Sequence, residues 1–600
     1  MAETKKIPER SEVPEQYKWA LHDIFPTDEA WQACYDETRE LVARIPTYQG
    51  RLGESAQTLY EYLSLDQTVG ERLSNLANYS MRKQDEDTRV ATYQAMVGKL
   101  MSLYVEASGA GAFETPELLK IPAETLEQFC QEQPELAVYR RYFDRIQRRK
   151  PHILSDAEEK LLAAAGELTQ APDDIYSKMS NADLKFRDAR DSAGTPHPVS
   201  NGSYGICMES EDRTLRKNAF ASMYATYGGM QNTIAATLSA QVKSLQFYAA
   251  ARHYDSTLEA SLDSSEVPVS VYHNLIDVVN QNLDKLHRYV RLRKKLLGVD
   301  ELHMYDLYTP IVAGVNREIP YEEAKKTVLA ALAPLGADYL AIMQEGFDNR
   351  WIDVYENVGK CSGGYMCGAL VHPFVLLNYK DNLDSVFTIA HEMGHAAHSY
   401  LSNSRQPAVY RNYEIFVAEV ASTCNEALLM EYLLGQTTDR KERAWLLNHQ
   451  LEQFKGTLYR QTMFAEFELR INELNAQGEV LTAELLSQEY LALNKKYYGP
   501  DVVSDDEIAL EWSRIPHFYY DYYVYQYATG YSAAIALSRR ILDEGEPAVK
   551  DYFGFLSGGC SADPITLLRG AGVDMASPQP VQAALDLFDR LLDEMEELTA

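Results

Sequence analysis

The spacing of apolar residues is helical over most of the chain. In residues 271–298, VYHNLIDVVNQNLDKLHRYVRLRKKLLG, leucines and valines recur at every third or fourth position. Pro268 precedes this run and Gly298 closes it, as expected for the start and the end of a helix. The same pattern predicts further helices over residues 56–108, 155–180, 212–251, 439–475 and 581–599, and we expect the last to pack on its own domain.

Strand patterns are few and short. Residues 184–200 are typical of a hairpin around Gly194, and we place there the boundary between two domains, residues 1–200 and 201–600. A second cluster, residues 351–379, alternates strand-like runs with glycines just before a histidine-rich segment. The predicted fold class is therefore mainly α, with a small β-sheet near the candidate site.

Composition and charge narrow the function classes. The 600 residues are 46% hydrophobic and 24% charged, as is ordinary for a globular protein, and the length predicts roughly two to four compact units. The formal net charge of -31 repels phosphate backbones and anionic lipids, so we expect no nucleic-acid partner and no membrane partner.

Targeting features and cysteines predict a cytoplasmic location. No apolar run approaches the ~20 residues of a spanning helix, and the N-terminal residues lack the apolar core of a secretory signal. The seven cysteines include no CxxC pair, so we expect free thiols in a reducing compartment.

The segment DSVFTIAHEMGHAAHSYL, residues 384–401, carries the strongest chemical signal. Within it, HEMGH matches the H-E-x-x-H pattern, in which two histidines four residues apart face the same side of a helix. His391 and His395 are therefore predicted to bind one zinc ion, with Glu392 directed at a water molecule on that ion. A chance match on a surface helix is the alternative, but the apolar residues before the motif favour a buried helix. Gly394 predicts close approach by another segment.

A third histidine, His398, follows on the same face. It lies seven residues after His391, about 10.5 Å along a helix axis, whereas zinc bonds are only about 2 Å long. We therefore place His398 outside the ligand set, beside the ligands or facing a substrate. The metzincin class is excluded, because its longer motif requires glycine at 398 and histidine at 401, where this chain has Leu401.

The third ligand is expected to be a carboxylate of the following helix. Residues 411–435 supply Glu414, Glu419, Glu426 and Glu431. Small and apolar residues flank Glu419 on both sides, which suits a face buried against the histidine helix, where an acidic group needs a partner such as a metal. We favour Glu419; Glu426 is the alternative ligand, or else it accepts a hydrogen bond from a zinc-bound imidazole.

Tyrosines are concentrated in HFYYDYYVYQYATGYSAA, residues 517–534. One interpretation is an aromatic helix of the core. The other is a set of phenol and imidazole donors for the oxyanion that develops when water attacks a peptide carbonyl. The residues alone leave both open.

Taken together, HEMGHAAHS, FVAEVAST and HFYYDYYVYQYATGY resemble the M3 family of zinc oligopeptidases, and most closely its bacterial oligoendopeptidase F branch. The segments EVPEQYKWALHDIF (12–25), ARHYDSTLEASL (251–262) and KCSGGYMCG (360–368) extend the resemblance over nearly the whole chain. It implies helices in two lobes that enclose a deep channel, with an N-terminal oligopeptidase domain before the catalytic domain.

The resemblance also implies roles for particular residues. It assigns the metal to His391, His395 and Glu419, and the general base to Glu392. His517, Tyr520 and Tyr527 match the residues that contact the substrate carbonyl and the tetrahedral intermediate, and the choice between Tyr520 and Tyr519 stays open.

The expected function is that of a zinc metalloendopeptidase. A zinc-bound water would attack internal bonds of short, unstructured oligopeptides, with Glu392 as general base. The glycine-rich SGGYMCG segment either pairs with an extended peptide as an added strand or forms a plain turn. The alternatives are a zinc exopeptidase and a non-catalytic peptide-binding protein. The chain lacks the G-x-M-E-N motif of aminopeptidases, and a binder has no chemical need for Glu392.

Overall fold

A computed structural model describes residues 6–312, 314 and 317–600, and helices dominate them. In the first half of the chain the α-helices are α1 (Asp28–Val42), α2 (Ala56–Glu86), α3 (Ala91–Gly111), α4 (Glu114–Lys120), α5 (Ala123–Glu132), α6 (Arg140–Arg148), α7 (Asp156–Lys178), α8 (Tyr204–Glu209), α9 (Arg213–Gly228), α10 (Gln231–Ala251), α11 (Thr257–Asp263), α12 (Val269–Gln281) and α13 (Leu283–Leu297). In the second half they are α14 (Tyr321–Ala331), α15 (Gly336–Asp348), α16 (Leu383–Arg405), α17 (Ala418–Gln436), α18 (Arg440–Gln453), α19 (Arg460–Ala476), α20 (Ala483–Tyr498), α21 (Tyr525–Glu544), α22 (Glu546–Leu556), α23 (Pro564–Gly570) and α24 (Gln579–Thr599). The expectation of a mainly α fold is confirmed.

The strands are short and form three small sheets in the described residues. They are β1 (Ala189–Arg190), β2 (Pro196–His197), β3 (Leu302–His303), β4 (Ile352–Asp353), β5 (Tyr365–Cys367), β6 (Phe374–Leu376) and β7 (Val502–Val503). Strands β1 and β2 pair antiparallel, which confirms the predicted hairpin, and β3 pairs parallel with β7. In the third sheet β6 lies between β4 and β5, parallel to β4 and antiparallel to β5.

The chain folds into two compact units, each assembled from separate segments. The first unit comprises Met1–Pro151, Arg317–Tyr432 and Leu537–Gly572, and the second comprises His152–Asn316, Leu433–Ala536 and Val573–Ala600. These units are defined by packing. The expected division into domains at residue 200 concerns successive stretches of sequence and stays a prediction.

The core of the first unit is built around the long helix α2, which packs against α1 and α3. Trp31 of α1 is fully buried there, and its indole nitrogen donates a hydrogen bond of 2.9 Å to the carbonyl of Leu76. Phe374 and Leu376 of β6 belong to the same core, so the three-stranded sheet is anchored to α2. The other side of β5 and β6 packs against α16, which carries the HEMGH motif.

In the second unit the closing helix α24 packs against α12, α13 and α18, as expected. The helical run over residues 271–298 is present but divided, because α12 ends at Gln281 and α13 begins at Leu283. The amide of Asn282 donates to the carbonyl of Val278 at 2.8 Å and to the side chain of Gln582 at 2.9 Å, so it competes with the helix at the break. Gly298 ends α13 in a left-handed conformation, with φ of 64°.

All seven cysteines are free thiols. No single described helix has the length and the apolar composition needed to cross a membrane. Two consecutive segments, Tyr321–Ala331 and Ala333–Asp348, have that length and composition only when they are counted together, and they are bent by 47° relative to each other.

Candidate metal centre

Helix α16 carries the HEMGH motif on a buried scaffold. The side chain of Asn382 caps its N-terminus by accepting a hydrogen bond of 2.9 Å from the amide of Ser385. One face of the helix is apolar and fully buried, with Val386, Ile389, Ala390, Met393, Ala396 and Ala397. His391 and His395 share another face, and their ring centroids are 4.8 Å apart.

Helix α17 crosses α16 at Gly394. A Cβ atom added to Gly394 would lie 2.6 Å from the Cα of Ser422 and 2.7 Å from the carbonyl oxygen of Ala421. The side-chain amide of Asn425 donates to the carbonyl of Ala390 at 3.0 Å, and Tyr339 donates to Asn425 at 2.9 Å. The predicted approach of another segment at Gly394 is therefore confirmed, and it brings the first turn of α17 to the histidine pair.

Glu419, in that first turn, lies opposite both imidazoles. Its Oε2 atom is 3.3 Å from Nε2 of His391 and 3.4 Å from Nε2 of His395. One ligand atom from each of the three residues falls within 4.8 Å of the others, the one such group found among the described residues. Two imidazole nitrogens and one carboxylate oxygen are a donor set typical of catalytic zinc, which keeps a fourth position open. The residues fit a zinc ion.

The charges at this cluster favour a cation. Burial lowers the pKa of His391, but hydrogen bonds to Glu419 and Glu426 outweigh burial and raise that pKa to about 10. Burial acts in the opposite direction on Glu419 and raises its pKa, but hydrogen bonds from the imidazoles of His391 and His395 outweigh burial and hold that pKa well below its ordinary value. The pairing of Glu419 with the rings contributes to both shifts, because its negative charge and positive charge on the rings stabilise each other.

Glu426 contacts the other nitrogen of His391. Its Oε1 atom lies 2.7 Å from Nδ1, whereas Glu419 faces Nε2 of the same ring. A carboxylate that holds Nδ1 keeps the ring in one orientation and leaves Nε2 available to a metal. The sequence leaves Glu426 either as an alternative ligand or as the acceptor of a hydrogen bond from a metal-bound imidazole. This geometry supports the second interpretation.

The other two glutamates of residues 411–435, Glu414 and Glu431, form ion pairs. Glu414 accepts from Arg145 at 2.8 Å, and Glu431 accepts from Arg539 at 3.3 Å. Neither is part of the group of ligand atoms.

Glu392 is buried beside the start of β5. The residue is only 7% exposed. Burial raises the pKa of its carboxyl, although the nearby His391 and His395 act to lower it. A Cβ atom on Gly364 would lie 3.7 Å from Oε1 of Glu392 and 3.3 Å from Thr388. The glycine thus leaves space next to the carboxylate.

In the described part of the chain β5 pairs only with β6, so its other edge has free backbone groups.

His398 lies outside the ligand group, as expected. It is 1% exposed, and its ring stacks on Tyr413 with centroids 3.7 Å apart and planes at 4°. Burial lowers the pKa of His398 to about 3, so the ring is neutral at ordinary pH. So deep a position does not fit a residue that faces a substrate, and His398 is instead a packing residue of the helix that carries His391 and His395.

The tyrosine segment, residues 517–534, lies in the second unit and is divided between a short turn and the start of a helix. Residues Pro516–Tyr519 form a 3₁₀ turn, and α21 starts at Tyr525. The ring of His517 lies 5.6 Å from Tyr520, 6.3 Å from Tyr523 and 6.0 Å from Tyr527, measured between centroids. Tyr523 also belongs to this aromatic cluster. The sequence does not single it out, because the pattern alone does not distinguish the seven tyrosines of residues 517–534.

Tyr519 and Tyr520 have opposite environments. Tyr519 is 6% exposed, stacks on Tyr176 at 4.5 Å and shares a hydrogen bond of 2.8 Å with Thr237. Tyr520 is 48% exposed and lies beside His517. The buried ring therefore packs in the core, and the exposed ring is available to a ligand.

Comparison with known proteins gives a consistent result. The model of "Peptidase family M3" matches residues 206–587, and that of "Oligopeptidase F" matches residues 117–186. Oligopeptidase PepF of Bacillus subtilis is 50% identical over 602 residues, covering 100% of this chain and 90% of the relative. The solved oligoendopeptidase-F of Enterococcus faecium is 39% identical, with a TM-score of 0.74 over 95% of this chain and 99% of its own. A structure from Chlamydophila abortus reaches a TM-score of 0.93 at 33% identity, covering 99% of this chain and 100% of its own.

Proposed function

The chain belongs to peptidase family M3, and from that premise we propose that it is a zinc-dependent oligoendopeptidase that cuts internal bonds of short, unstructured peptides. One observation carries the proposal: ligand atoms of His391 and His395 on α16, the helix that also bears the buried Glu392, and of Glu419 on α17 lie within 4.8 Å of one another.

His391, His395 and Glu419 are the proposed ligands of one zinc ion. The chemistry that zinc supplies when bound is a lowered pKa of water and a polarised carbonyl group. Glu426 keeps Nε2 of His391 directed at the metal position through its contact with Nδ1. This arrangement is supported by the donor set and by the negative charge of the two carboxylates.

Glu392 is the proposed general base. Its carboxylate accepts the proton of the attacking water and then delivers it to the departing amine. Burial raises the pKa of this carboxyl, which makes it a better proton acceptor than an exposed glutamate. The space beside Gly364 gives a substrate access to it.

His517, Tyr520 and Tyr527 are proposed to donate hydrogen bonds to the substrate carbonyl and to the oxyanion that develops from it. The family resemblance suggests these roles, and the exposure of Tyr520 supports it over Tyr519. The free edge of β5 is proposed to pair with the extended peptide backbone, which would bind main chain without regard to most side chains.

The division into an N-terminal domain, residues 1–200, and a catalytic domain, residues 201–600, is also retained as a proposal. The two family matches, over residues 117–186 and 206–587, fall on either side of residue 200 and support it. A cytoplasmic location stays a prediction.

The test uses a peptide of about ten residues blocked at both ends, with products identified by mass spectrometry. We expect internal cuts that stop on chelation and return when zinc is added. A requirement for a free terminus would replace the proposal with an exopeptidase. Peptide binding without cleavage by the zinc-loaded protein would replace it with a binder.

Glu392→Gln is the matched variant for the chemistry. It should retain zinc and peptide binding but lose roughly 10²- to 10⁴-fold in kcat, the range expected for a general base. Substantial cleavage by this variant would remove Glu392 from the assigned role.

A further inference from the structure

Glu468 is a buried carboxyl that the proposed mechanism does not use. It lies on α19 and is 2% exposed. Its Oε1 atom accepts a hydrogen bond of 2.7 Å from the backbone amide of Tyr522. Its Oε2 atom has no hydrogen-bond partner among the described residues. With one oxygen accepting a hydrogen bond and the other unpaired in the interior, this carboxyl costs less free energy to bury as a neutral acid than as a carboxylate.

The backbone that Glu468 holds is strained. Asp521 and Tyr522 both have left-handed conformations, with φ of 52° and 56°, and neither is glycine. Such a conformation is unfavourable for a residue with a side chain and persists only where its surroundings hold it. Besides Glu468, Ser261 donates to the Asp521 carbonyl at 2.8 Å and Gln241 donates to the Asp521 carboxylate at 3.1 Å.

This strained turn divides the aromatic cluster. Tyr520 lies immediately before it and Tyr523 immediately after it, and both rings lie beside His517. If the turn relaxed, Tyr520 and Tyr523 would change direction relative to His517 and Tyr527. The turn therefore sets the geometry of the residues assigned to the oxyanion.

We propose that Glu468, in its neutral acid form, is a positioning residue for catalysis: by holding the Tyr522 amide it fixes the turn that presents Tyr520 beside His517. This inference rests on the proposed function, because the aromatic cluster matters only if the protein cleaves peptides. Glu468 itself touches neither substrate nor metal ligand.

The surroundings of Glu468 favour its neutral form. Burial raises its pKa to about 8, against the hydrogen bond from Tyr522, and the nearby carboxyl of Asp521 adds to the rise. The phenol groups of Tyr272 and Tyr522 also face it, and among the described residues no Lys, Arg or His forms an ion pair with it. Ionisation would place an unpaired charge in the interior, and relief by movement toward water would release the Tyr522 amide.

The experiment compares pH profiles of kcat and KM for the zinc-loaded full chain and its variants. Glu468→Gln keeps a neutral side chain with the same acceptor, so we expect kcat within about twofold of wild type near neutrality and a weaker fall in kcat at alkaline pH. Glu468→Met has a similar volume but no acceptor, and we expect roughly a tenfold loss of kcat with little change in KM.

Glu466→Gln is the matched control on the same helix. Glu466 accepts from Lys496 at 2.6 Å and from Tyr497 at 2.8 Å, and it makes no contact with the turn. This variant should show the alkaline fall of wild type. Tyr520→Phe combined with Glu468→Met should lose less than the product of the two separate effects, because both act through one hydroxyl.

An alkaline fall in Glu468→Gln identical to that of wild type would overturn the proposal, as would wild-type kcat in Glu468→Met. If Glu468→Met does not fold, the comparison of Glu468→Gln with wild type decides. Failure of the proposed function is seen separately, as cleavage that survives chelation or the Glu392→Gln substitution.

Discussion

Gly394 and Ser422 approach so closely that a Cβ atom on Gly394 would lie 2.6 Å from the Cα of Ser422. The contact is between the backbones of α16 and α17, so no side-chain movement relieves it. The same crossing brings Glu419 within 3.4 Å of both imidazoles. The spacing of the two helices at this glycine thus determines whether the three proposed ligands meet.

The first prediction concerns Gly394→Ala. The added methyl group must push α17 away, which should cost about 1–3 kcal/mol of unfolding free energy as an overpacked contact and weaken metal binding. Denaturant unfolding and metal titration by a competing chelator measure the two effects.

Gly98→Ala is the control for this substitution. Gly98 lies within helix α3, and a Cβ atom there meets nothing within 4 Å. Alanine should stabilise the protein by up to about 1 kcal/mol without any change in metal affinity. Equal behaviour of the two variants would show that the Gly394 contact does not control the site.

A second prediction separates Glu419 from Glu426. Glu419→Gln removes a proposed ligand and should abolish stoichiometric zinc binding at micromolar metal. Glu426→Gln removes only the group that holds Nδ1 of His391, and it should lower zinc affinity by roughly 10- to 100-fold. Equal losses in both variants, measured by metal analysis after dialysis, would place Glu426 among the ligands instead.

The sequence was most informative where function depends on local spacing. His391 and His395 are four residues apart on one helix, so any helix that contains them presents both. Gly394 predicts close approach by another segment without indicating which segment it is. Asn282 and the Asp521–Tyr522 turn were not predicted, because their conformations depend on hydrogen bonds from residues far along the chain, such as Gln582 and Glu468. Burial, another long-range property, also separates Tyr519 from Tyr520.

A third prediction tests that separation. Tyr520→Phe removes an exposed hydroxyl and should lower kcat by roughly 10²-fold, as for loss of one oxyanion donor, without altering thermal unfolding. Tyr519→Phe removes a buried hydrogen bond to Thr237 and should cost about 1 kcal/mol of stability with kcat nearly unchanged. The reverse pattern in steady-state kinetics and thermal melts would assign the catalytic role to Tyr519.

The last prediction concerns acid stability and His398. Its pKa is lowered to about 3 in the folded protein by burial, from an ordinary value of 6.5. The unfolded chain therefore binds a proton that the folded chain does not, so the contribution of His398 to stability is present above pH 6.5 and is lost as pH falls from 6.5 toward 3. By pH 5 that loss should reach about 2 kcal/mol.

The variant His398→Leu tests this expectation, because leucine has a similar volume and does not titrate. Urea unfolding at pH 7 and pH 5 should show a smaller acid loss in this variant than in wild type, with one zinc still bound per chain at pH 7. An acid loss equal to that of wild type would show that His398 is charged or hydrated in the folded protein, and a loss of zinc would show that it holds the metal.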